Sequence, residues 1–461
     1  MKMKPLTLEK IAEVTGGEYR GPARRRRDKI TAVTTDSRDI ERGALFVCIE
    51  GARFDGHDFA LQAAKDGAAC RLAEKALDDG YPYVLVDSTL RALRVLAEYY
   101  RGLFTIPVVG IIGSVGKTTA KEMCADVLSR SMSVLKTPAN LNNEIGVPLT
   151  LLSLREEHEA AVVEMGISDF GEMRRLAKMV RPDICVMTSI GYCHLENLGD
   201  LDGVLRAKSE VFEFMAEDGI AIVNGDDEKL RSFDPGIRKI TYGMNEGNDY
   251  RAENVENLGF DGVACDIVSG DFTIFTLIPA FGTHIVYGAL AAAAVGRTLG
   301  ADGESILRGI ADYHPVGSRA NVIDTGILTV IDDCYNANPN SMAAAIRSLA
   351  SLRALGSRQG KRVAILGDML ELGTDSRELH RSMGALAANR NIDLLLCVGD
   401  EAWAIYEGYI DIKPGAMWFR TKEELYPRLE ELINRGDVVL VKASHSMGFS
   451  DIVDKLREVR F

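Results

Sequence analysis

The run Val108-Val109-Gly110-Ile111-Ile112-Gly113-Ser114-Val115-Gly116-Lys117-Thr118-Thr119 decides how the rest of the chain is read. An apolar stretch gives a buried strand, glycines break it, and a helical pattern opens at Lys117-Thr118-Thr119. In such a turn Gly113 and Gly116 let the backbone around Ser114 and Val115 close on phosphate oxygens, and the following helix adds its positive N-terminal end. Lys117 supplies a mobile cation and Thr118 a hydroxyl for Mg²⁺. The eight-residue Walker pattern asks for glycine where Ile111 stands, whereas the shorter Gly-x-x-Gly-Lys-Thr form is intact. Strand, glycine turn, Lys-Thr-Thr and helix, in that order, favour a phosphate loop over a plain strand-to-helix turn with an exposed lysine.

At about 150 residues per domain, 461 residues predict three domains. Apolar content of 46% and charged content of 26% are those of a globular protein able to build full cores. A net charge of −13 argues against nucleic acid as a partner, and the run Arg24-Arg25-Arg26-Arg27 reads as a solvated loop. The eight cysteines are scattered without a C-x-x-C pair, several inside apolar runs, and are expected to be reduced and buried. The N-terminus lacks the apolar segment of a signal peptide, and no stretch approaches the roughly 18 uninterrupted apolar residues of a membrane span. No membrane insertion and a cytoplasmic location are therefore expected.

The alternation of elements predicts an α/β protein of three units. Residues 1–104 read as a small α/β domain, with strands over 30–35, 43–49 and 83–86, helices over 7–14 and 59–65, and a closing helix over 90–100. Within it Asp36-Ser37-Arg38 offers a hydroxyl and a guanidinium that could hold a diphosphate or a uracil edge; an Asp/Ser turn with a surface arginine fits the spacing equally. Residues 105–315 read as a central P-loop ATPase-like domain with a parallel sheet. There Ala160-Ala161-Val162-Val163 ends in Glu164, where a metal-holding acid is expected next to a phosphate loop. The strand over 183–191 leads to His194 at the same level, and Lys208 follows on a helix. From 250 to 278 short alternating runs suggest an antiparallel insert or edge, and 284–299 an Ala-rich helix.

The Pro/Gly break at 314–319 is the linker to residues 316–461, a Rossmann-like doubly wound C-terminal domain. Its strands are predicted over 328–331, 363–366, 394–398 and 438–441, and its helices over 341–354, 377–388, 423–434 and 450–459. Three strand-end loops are rich in polar groups: 332–339, 367–373 and 442–447. Their shared position at the ligand-binding edge favours function over turn punctuation.

Taken together, these segments resemble the Mur ligase family, and within it the branch that adds D-alanyl-D-alanine to UDP-N-acetylmuramoyl-tripeptide. The resemblance is carried, in order, by Thr35-Asp36-Ser37-Arg38 with Asp55-Gly56-His57, by the phosphate loop, and by Asn140-Leu141-Asn142-Asn143-Glu144. It continues through Glu164-Met165-Gly166, His194-Leu195-Glu196, Ala207-Lys208, Asp333-Cys334-Tyr335-Asn336-Ala337-Asn338-Pro339 and Gly367-Asp368-Met369-Leu370-Glu371-Leu372-Gly373. It implies that the first domain holds the UDP of the acceptor through Ser37 and Arg38, the second holds ATP, and the third takes the amine and part of the nucleotide. Lys117, Thr118 and Glu164 with Mg²⁺ would neutralise the transferring phosphate. His194 would help hold a second Mg²⁺, supported by Lys208 as its carbamate. Arg319 would reach the ATP phosphates, Asp333 and Asn336 the nucleotide, and Asn142 and Asn143 the substrate. A monomer whose domains close over an acyl phosphate is implied.

The sequence departs from the family pattern at Ile112 for Thr, Ala139 for Gly and Ala443-Ser444-His445 for Gly-Ser-Arg, and at Ile285 and Gly288 for two asparagines. The last pair bears on adenine recognition and His445 on the dipeptide end, because His does not reproduce a bidentate guanidinium. Alternatives are a sibling amide ligase, a folylpolyglutamate-type ligase, a P-loop kinase or GTPase, and a non-catalytic nucleotide-binding paralogue. The first domain argues against the folate reading, and the missing Asn-Lys-x-Asp signature against a GTPase.

Overall fold

The computed structural model describes residues 3–51, 53–270, 272–352 and 360–460. Strands cluster along the chain into three main sheets, so the protein is α/β throughout. The first, five-stranded, has the order Glu18–Arg20, Tyr83–Leu85, Cys70–Ala73, Leu45–Val47, Val33–Thr34, and only its Glu18–Arg20 edge is antiparallel. A two-stranded ribbon pairs Leu6–Thr7 with Lys29–Ile30, so the β-prone run over 30–35 is shared between two sheets.

The second sheet has nine strands. Val108–Ile112 lies between Ala160–Glu164, which is flanked by Val134–Lys136, and Ile184–Met187. Beyond the latter come Ile220–Asn224, Arg238–Gly243 and Tyr250–Asn257, all parallel. Val263–Ser269 and Phe272–Ile278 then close the sheet as an antiparallel edge, where the alternating pattern predicted one. Side chains alternate across the first strand: Val108 and Ile112 enter one core, Val109 and Ile111 the other. Burial on both faces is why this segment reads as a continuous apolar run rather than an alternating one.

The first of these cores runs without a break into residues of the N-terminal unit, including Leu8, Leu96 and Tyr100. The Tyr100 hydroxyl ties the two units by donating to the Leu154 carbonyl at 2.7 Å. On the opposite face the Ala-rich helix Val286–Thr298 packs on Lys117–Leu128. At Gly288 the approach is so close that a Cβ would fall 2.8 Å from Thr119 Cγ2.

The third sheet has the order Asn321–Asp324, Thr329–Asp332, Val438–Lys442, Arg362–Gly367, Leu394–Val398, Ala416–Phe419, parallel except for the first strand. Both edge strands escape the sequence reading, being short and only half-buried. The helix Ala402–Ile410 escapes it as well, because apolar residues surround it and no stripe stands out. The helix expected over 423–434 is broken into Lys422–Leu425, a turn Tyr426–Arg428 and Leu429–Leu432, since Pro427 has no N–H to continue it. The helix expected over 341–354 is Pro339–Ser351, and residues 353 and 354 of that expectation lie outside the described residues. No helix among the described residues is long and apolar enough to cross a membrane.

Candidate functional site

Glu164 pairs in register with Ile111, and Met187 with Ile112, so the phosphate loop, Glu164 and the loop leading to His194 leave the sheet at one level. Their strands flank the point where the strand order reverses, the crevice in which open α/β sheets bind ligands. Gly113 sits at φ 137°, and a Cβ on it would fall 2.0 Å from Thr188 Oγ1. Only glycine fits there. The Ser114 N–H donates to the Ser189 carbonyl (2.9 Å) and the Val115 N–H to the Ser189 hydroxyl (3.2 Å). The backbone N–H groups of Ser114 and Val115 therefore shape the loop. Those of Gly116, Lys117, Thr118 and Thr119 have no partner among the described residues and open the helix Lys117–Leu128. Free N–H groups at the positive end of a helix, with Lys117 beside them, form an anion cradle. Lys117 Nζ donates meanwhile to the Gly113 carbonyl at 2.9 Å.

Glu164 is 1% exposed. One of its carboxylate oxygens accepts the Thr118 hydroxyl (3.0 Å) and the other the Asn142 amide (2.8 Å). Lys121, fully buried beneath it, donates to the Thr137 and Ala139 carbonyls and stands 4.0 Å from the carboxylate. Sequence reasoning gave Lys121 no role, since it reads as one more polar residue on a helix. Ala139 holds φ 45°, the left-handed conformation that glycine would adopt freely there.

Lys208 is 1% exposed and its ammonium makes no hydrogen bond or ion pair among the described residues. Burial lowers its pKa to about 8; the nearby Cys193 thiol opposes the shift and the Lys117 charge adds to it. Burial likewise lowers the pKa of His194, against the opposing effect of Glu371 from the third unit. Cys193 corrects the expectation of eight buried thiols: it is half-buried and donates to the Ser114 hydroxyl at 3.1 Å.

From the third unit, Arg319 stacks 3.7 Å over the ring of Tyr335. Asp333 pairs with the buried Lys442 at 2.8 Å, and Lys442 also donates to the Asn336 carbonyl at 2.9 Å. Lys442 closes a buried apolar run at the ligand-binding end of its strand, a signal available in the sequence. His445 meets the Tyr335 ring and carbonyl and does not line the cavity. The loop over 367–373 is structural: Asp368 accepts the Ala402 N–H at 2.7 Å and His380 accepts that of Met369 at 2.9 Å, while Glu371 alone turns toward His194.

These groups enclose one cavity of about 680 Å³. Its walls include the phosphate loop from Gly113 to Thr119, Asn142, Asn143, Glu164, His194 and Lys208, and across from them Arg319, Asp333, Asn336 and Lys442. The first unit contributes Leu90. Of the residues singled out in the sequence for phosphate, nucleotide, metal or acceptor contacts, Ser37 and Arg38 alone lie elsewhere. They follow the edge strand Val33–Thr34, where the exposed Arg38 guanidinium grips the Asp36 carboxylate (2.7 and 2.9 Å) and holds its pKa down to about 2. Of the two departures in the Ala-rich helix, Ile285 lines the cavity, whereas Gly288 faces Thr119 and Met123 inside the helix packing.

Three family models match the chain in order: "Mur ligase family, catalytic domain" over residues 29–101, "Mur ligase middle domain" over 111–296 and "Mur ligase, glutamate ligase domain" over 318–445. The UDP-N-acetylmuramoyl-tripeptide–D-alanyl-D-alanine ligase of Bacillus subtilis is 37% identical over 458 residues, 98% of each chain. The enzyme of that name from Escherichia coli is 36% identical over 99% of each. Among solved structures, MurF from Acinetobacter baumannii superposes over the whole of both chains with a TM-score of 0.90 at 32% identity. MurF ligase from Thermotoga maritima in complex with ADP gives 0.80 at 30% identity, covering 93% of this chain and 97% of that one. A phosphate cradle facing a second Rossmann-like unit across one cavity, and likeness running from end to end, lead to one assignment: the chain belongs to the Mur ligase family.

Proposed function

We infer that the protein is an ATP-dependent, ADP-forming ligase that joins D-alanyl-D-alanine to UDP-N-acetylmuramoyl-tripeptide. The observation that carries the reading is the single cavity in which the phosphate loop, Glu164 and Lys208 face Arg319, Asp333 and Asn336. In this reading the peptide carboxylate attacks the γ-phosphorus of ATP, giving an acyl phosphate and ADP. The dipeptide amine then attacks the acyl carbon, phosphate leaves, and the nitrogen sheds a proton. Residues 105–315 hold ATP, with Lys117 and the N–H groups of Gly116 to Thr119 on its phosphates. Residues 316–461 supply Arg319 to the phosphates, Asp333 and Asn336 to the nucleotide, and the seat of the amine. Residues 1–104 hold the UDP, where Arg38 can exchange Asp36 for a diphosphate. Asn142 and Asn143 border the acceptor, and a monomer in the cytoplasm suffices for this chemistry. Closure of the three units would exclude water from the acyl phosphate.

Glu164 and Thr118 are oxygen donors of the kind Mg²⁺ takes, and Mg²⁺ is commonly held by one or two carboxylates plus substrate phosphates rather than by an all-protein cage. Among the described residues no group of three or more His, Cys, Asp or Glu is placed for a metal, which suits such a site. When bound, the ion would offset charge on the transferring phosphate. An imidazole and an ammonium do not suit a second cation, so a second Mg²⁺ at His194 requires Lys208 to change sign. With a pKa of about 8, part of Lys208 is the neutral amine near pH 7. That amine can attack CO₂, form a C–N bond and release a proton, leaving an anionic carbamate.

ADP release measured with the tripeptide acceptor plus D-alanyl-D-alanine, against each omitted alone, tests the assignment. Turnover only with both supports it; turnover with another amine redirects it to a sibling ligase, and ATP binding without turnover overturns it. For the carbamate, Lys208→Ala is expected to be nearly inactive and to recover with short-chain carboxylic acids, and near-wild-type activity without them overturns the idea.

A further inference from the structure

The third unit meets the loop that carries His194 at two points. Asn340, the second residue of the helix Pro339–Ser351, accepts the Tyr192 N–H at 3.0 Å. The Glu371 carbonyl accepts the Glu196 N–H at 3.3 Å, and the Glu371 carboxylate lies against His194 Nδ1. That nitrogen is buried and makes no aligned hydrogen bond, so the carboxylate, in ion-pair contact, is the group it meets. Neither residue is placed there cheaply. His194 has φ 52° and Glu371 φ 64°, two side-chain-bearing residues in the left-handed region on opposite sides of one interface. Such conformations cost roughly 1–3 kcal/mol each and persist where the surroundings hold them. The rest of the 367–373 loop serves its own unit, through Asp368 and the His380 contact to Met369, which leaves the direction of Glu371 unexplained by packing.

We propose that Glu371 is a positioning residue for His194: its carboxylate fixes the Nδ1 side of the imidazole from across the interface and leaves Nε2 to face the cavity as a ligand for a divalent cation. A carboxylate behind a metal-bound histidine sets ring orientation and raises ligand basicity. Here the carboxylate belongs to a different unit from the histidine, so docking of the third unit on the central one completes the metal site. Cation binding at His194 and closure are then one linked equilibrium, and each favours the other. The proposal rests on the cation reading given above.

Mn²⁺ is the probe, titrated into the full-length protein with ADP and bicarbonate present and acceptor and amine absent, with free Mn²⁺ followed by its electron paramagnetic resonance signal. Glu371→Gly removes the carboxylate while suiting the positive φ, so the backbone is not the variable. It is expected to weaken Mn²⁺ binding about 10-fold, the usual effect of losing such a support. Glu371→Gln, which keeps an acceptor oxygen, should recover most of that loss. In a His194→Ala background Glu371→Gly should cost nothing further. Binding within twofold of wild type for Glu371→Gly overturns the proposal, as does a full further loss in the His194→Ala background. Absence of Mn²⁺ binding by the wild-type ADP complex would instead overturn the cation reading beneath it. Failed ligation with intact Mn²⁺ behaviour would touch only the assigned substrates.

Discussion

A buried ammonium with no counter-ion is costly, and Lys208 is held that way at 1% exposure. Lowering its pKa from 10.5 to about 8 corresponds to about 3 kcal/mol against the protonated folded form, at about 1.4 kcal/mol per unit. The folded pKa lies below the unfolded one, so between pH 8 and 10.5 the unfolded chain binds the extra proton and stability rises with pH. Below pH 8 the penalty is constant. We expect Lys208→Met, in bicarbonate-free buffer at pH 7, to raise the unfolding free energy by about 1–3 kcal/mol in urea denaturation while ligase turnover is lost. The stability of the wild type should also climb more steeply than that of the variant between pH 8 and 10.5, and parallel curves would contradict the assignment. At Arg319 the planar guanidinium lies on Tyr335. Lysine keeps the charge but neither the stack nor the fork. Arg319→Lys is therefore expected to lower kcat/KM for ATP by about 10-fold or more, of which about 0.5–2 kcal/mol traces to the lost stacking. Tyr335→Leu in the same assay should produce part of that loss.

Among the elements, the Ala-rich helix and the phosphate-loop helix form the tightest junction near the cavity. The family pattern places asparagines where Ile285 and Gly288 stand, and the structure separates these two departures. Ile285 borders the cavity, whereas a side chain at 288 would meet Thr119 Cγ2 at 2.8 Å and Met123 Sδ at 3.0 Å, away from it. Installing Asn by itself should therefore act differently at the two positions. Gly288→Asn is expected to destabilise the protein by about 1–3 kcal/mol through overpacking and to displace the first turn of the phosphate-loop helix. Ile285 is 4% exposed and belongs to the apolar core as well as to the cavity wall. Ile285→Asn is therefore also expected to cost about 1–3 kcal/mol and, unlike Gly288→Asn, to change the ATP-against-GTP preference in KM. An unchanged preference for Ile285→Asn would mean that Ile285 does not meet the nucleotide base. The departure at 112 lies away from the cavity wall: Ile112 is fully buried in the core beneath the loop.

At the scale of the molecule, the central and third units are joined around one cavity by a few polar contacts and by Phe281, Phe260 and Tyr192, which pack against the core of the third unit. Asn340 to Tyr192, Glu371 to the His194 loop and Asn257 to Ser351 (3.0 Å) bridge them. Interfaces of this kind open readily unless a ligand spans them. Asn340→Ala should raise the radius of gyration of the ligand-free protein in small-angle scattering, and ATP with Mg²⁺ should restore compactness at a higher nucleotide concentration than the wild type needs. An unchanged profile would show that Asn340 does not latch the two units. The first and central units share a much larger apolar core, Leu96 and Tyr100 included, so they should move together.

Read alone, the sequence establishes the α/β class, the principal parallel strands of the central and third units and the phosphate loop, but not the half-buried strands Val134–Lys136, Asn321–Asp324 and Ala416–Phe419. Those features are local: a buried parallel strand is a continuous apolar run, a phosphate loop needs glycines at fixed spacing, and both repeat the same physics wherever they occur. It also determined most of the cavity wall, because residues at the carboxyl ends of parallel strands fall at one level whatever the loops between them do. Tertiary structure decided what depends on a second segment. That Gly288 belongs to a helix junction follows from where Met123 lies, and that Cys193 faces the cavity follows from which strands are neighbours. The unpaired state of Lys208 and the contact of Glu371 with His194 depend on units far apart in the chain. Burial and ion pairing are sums over all neighbours in space, and no spacing rule along the chain contains them.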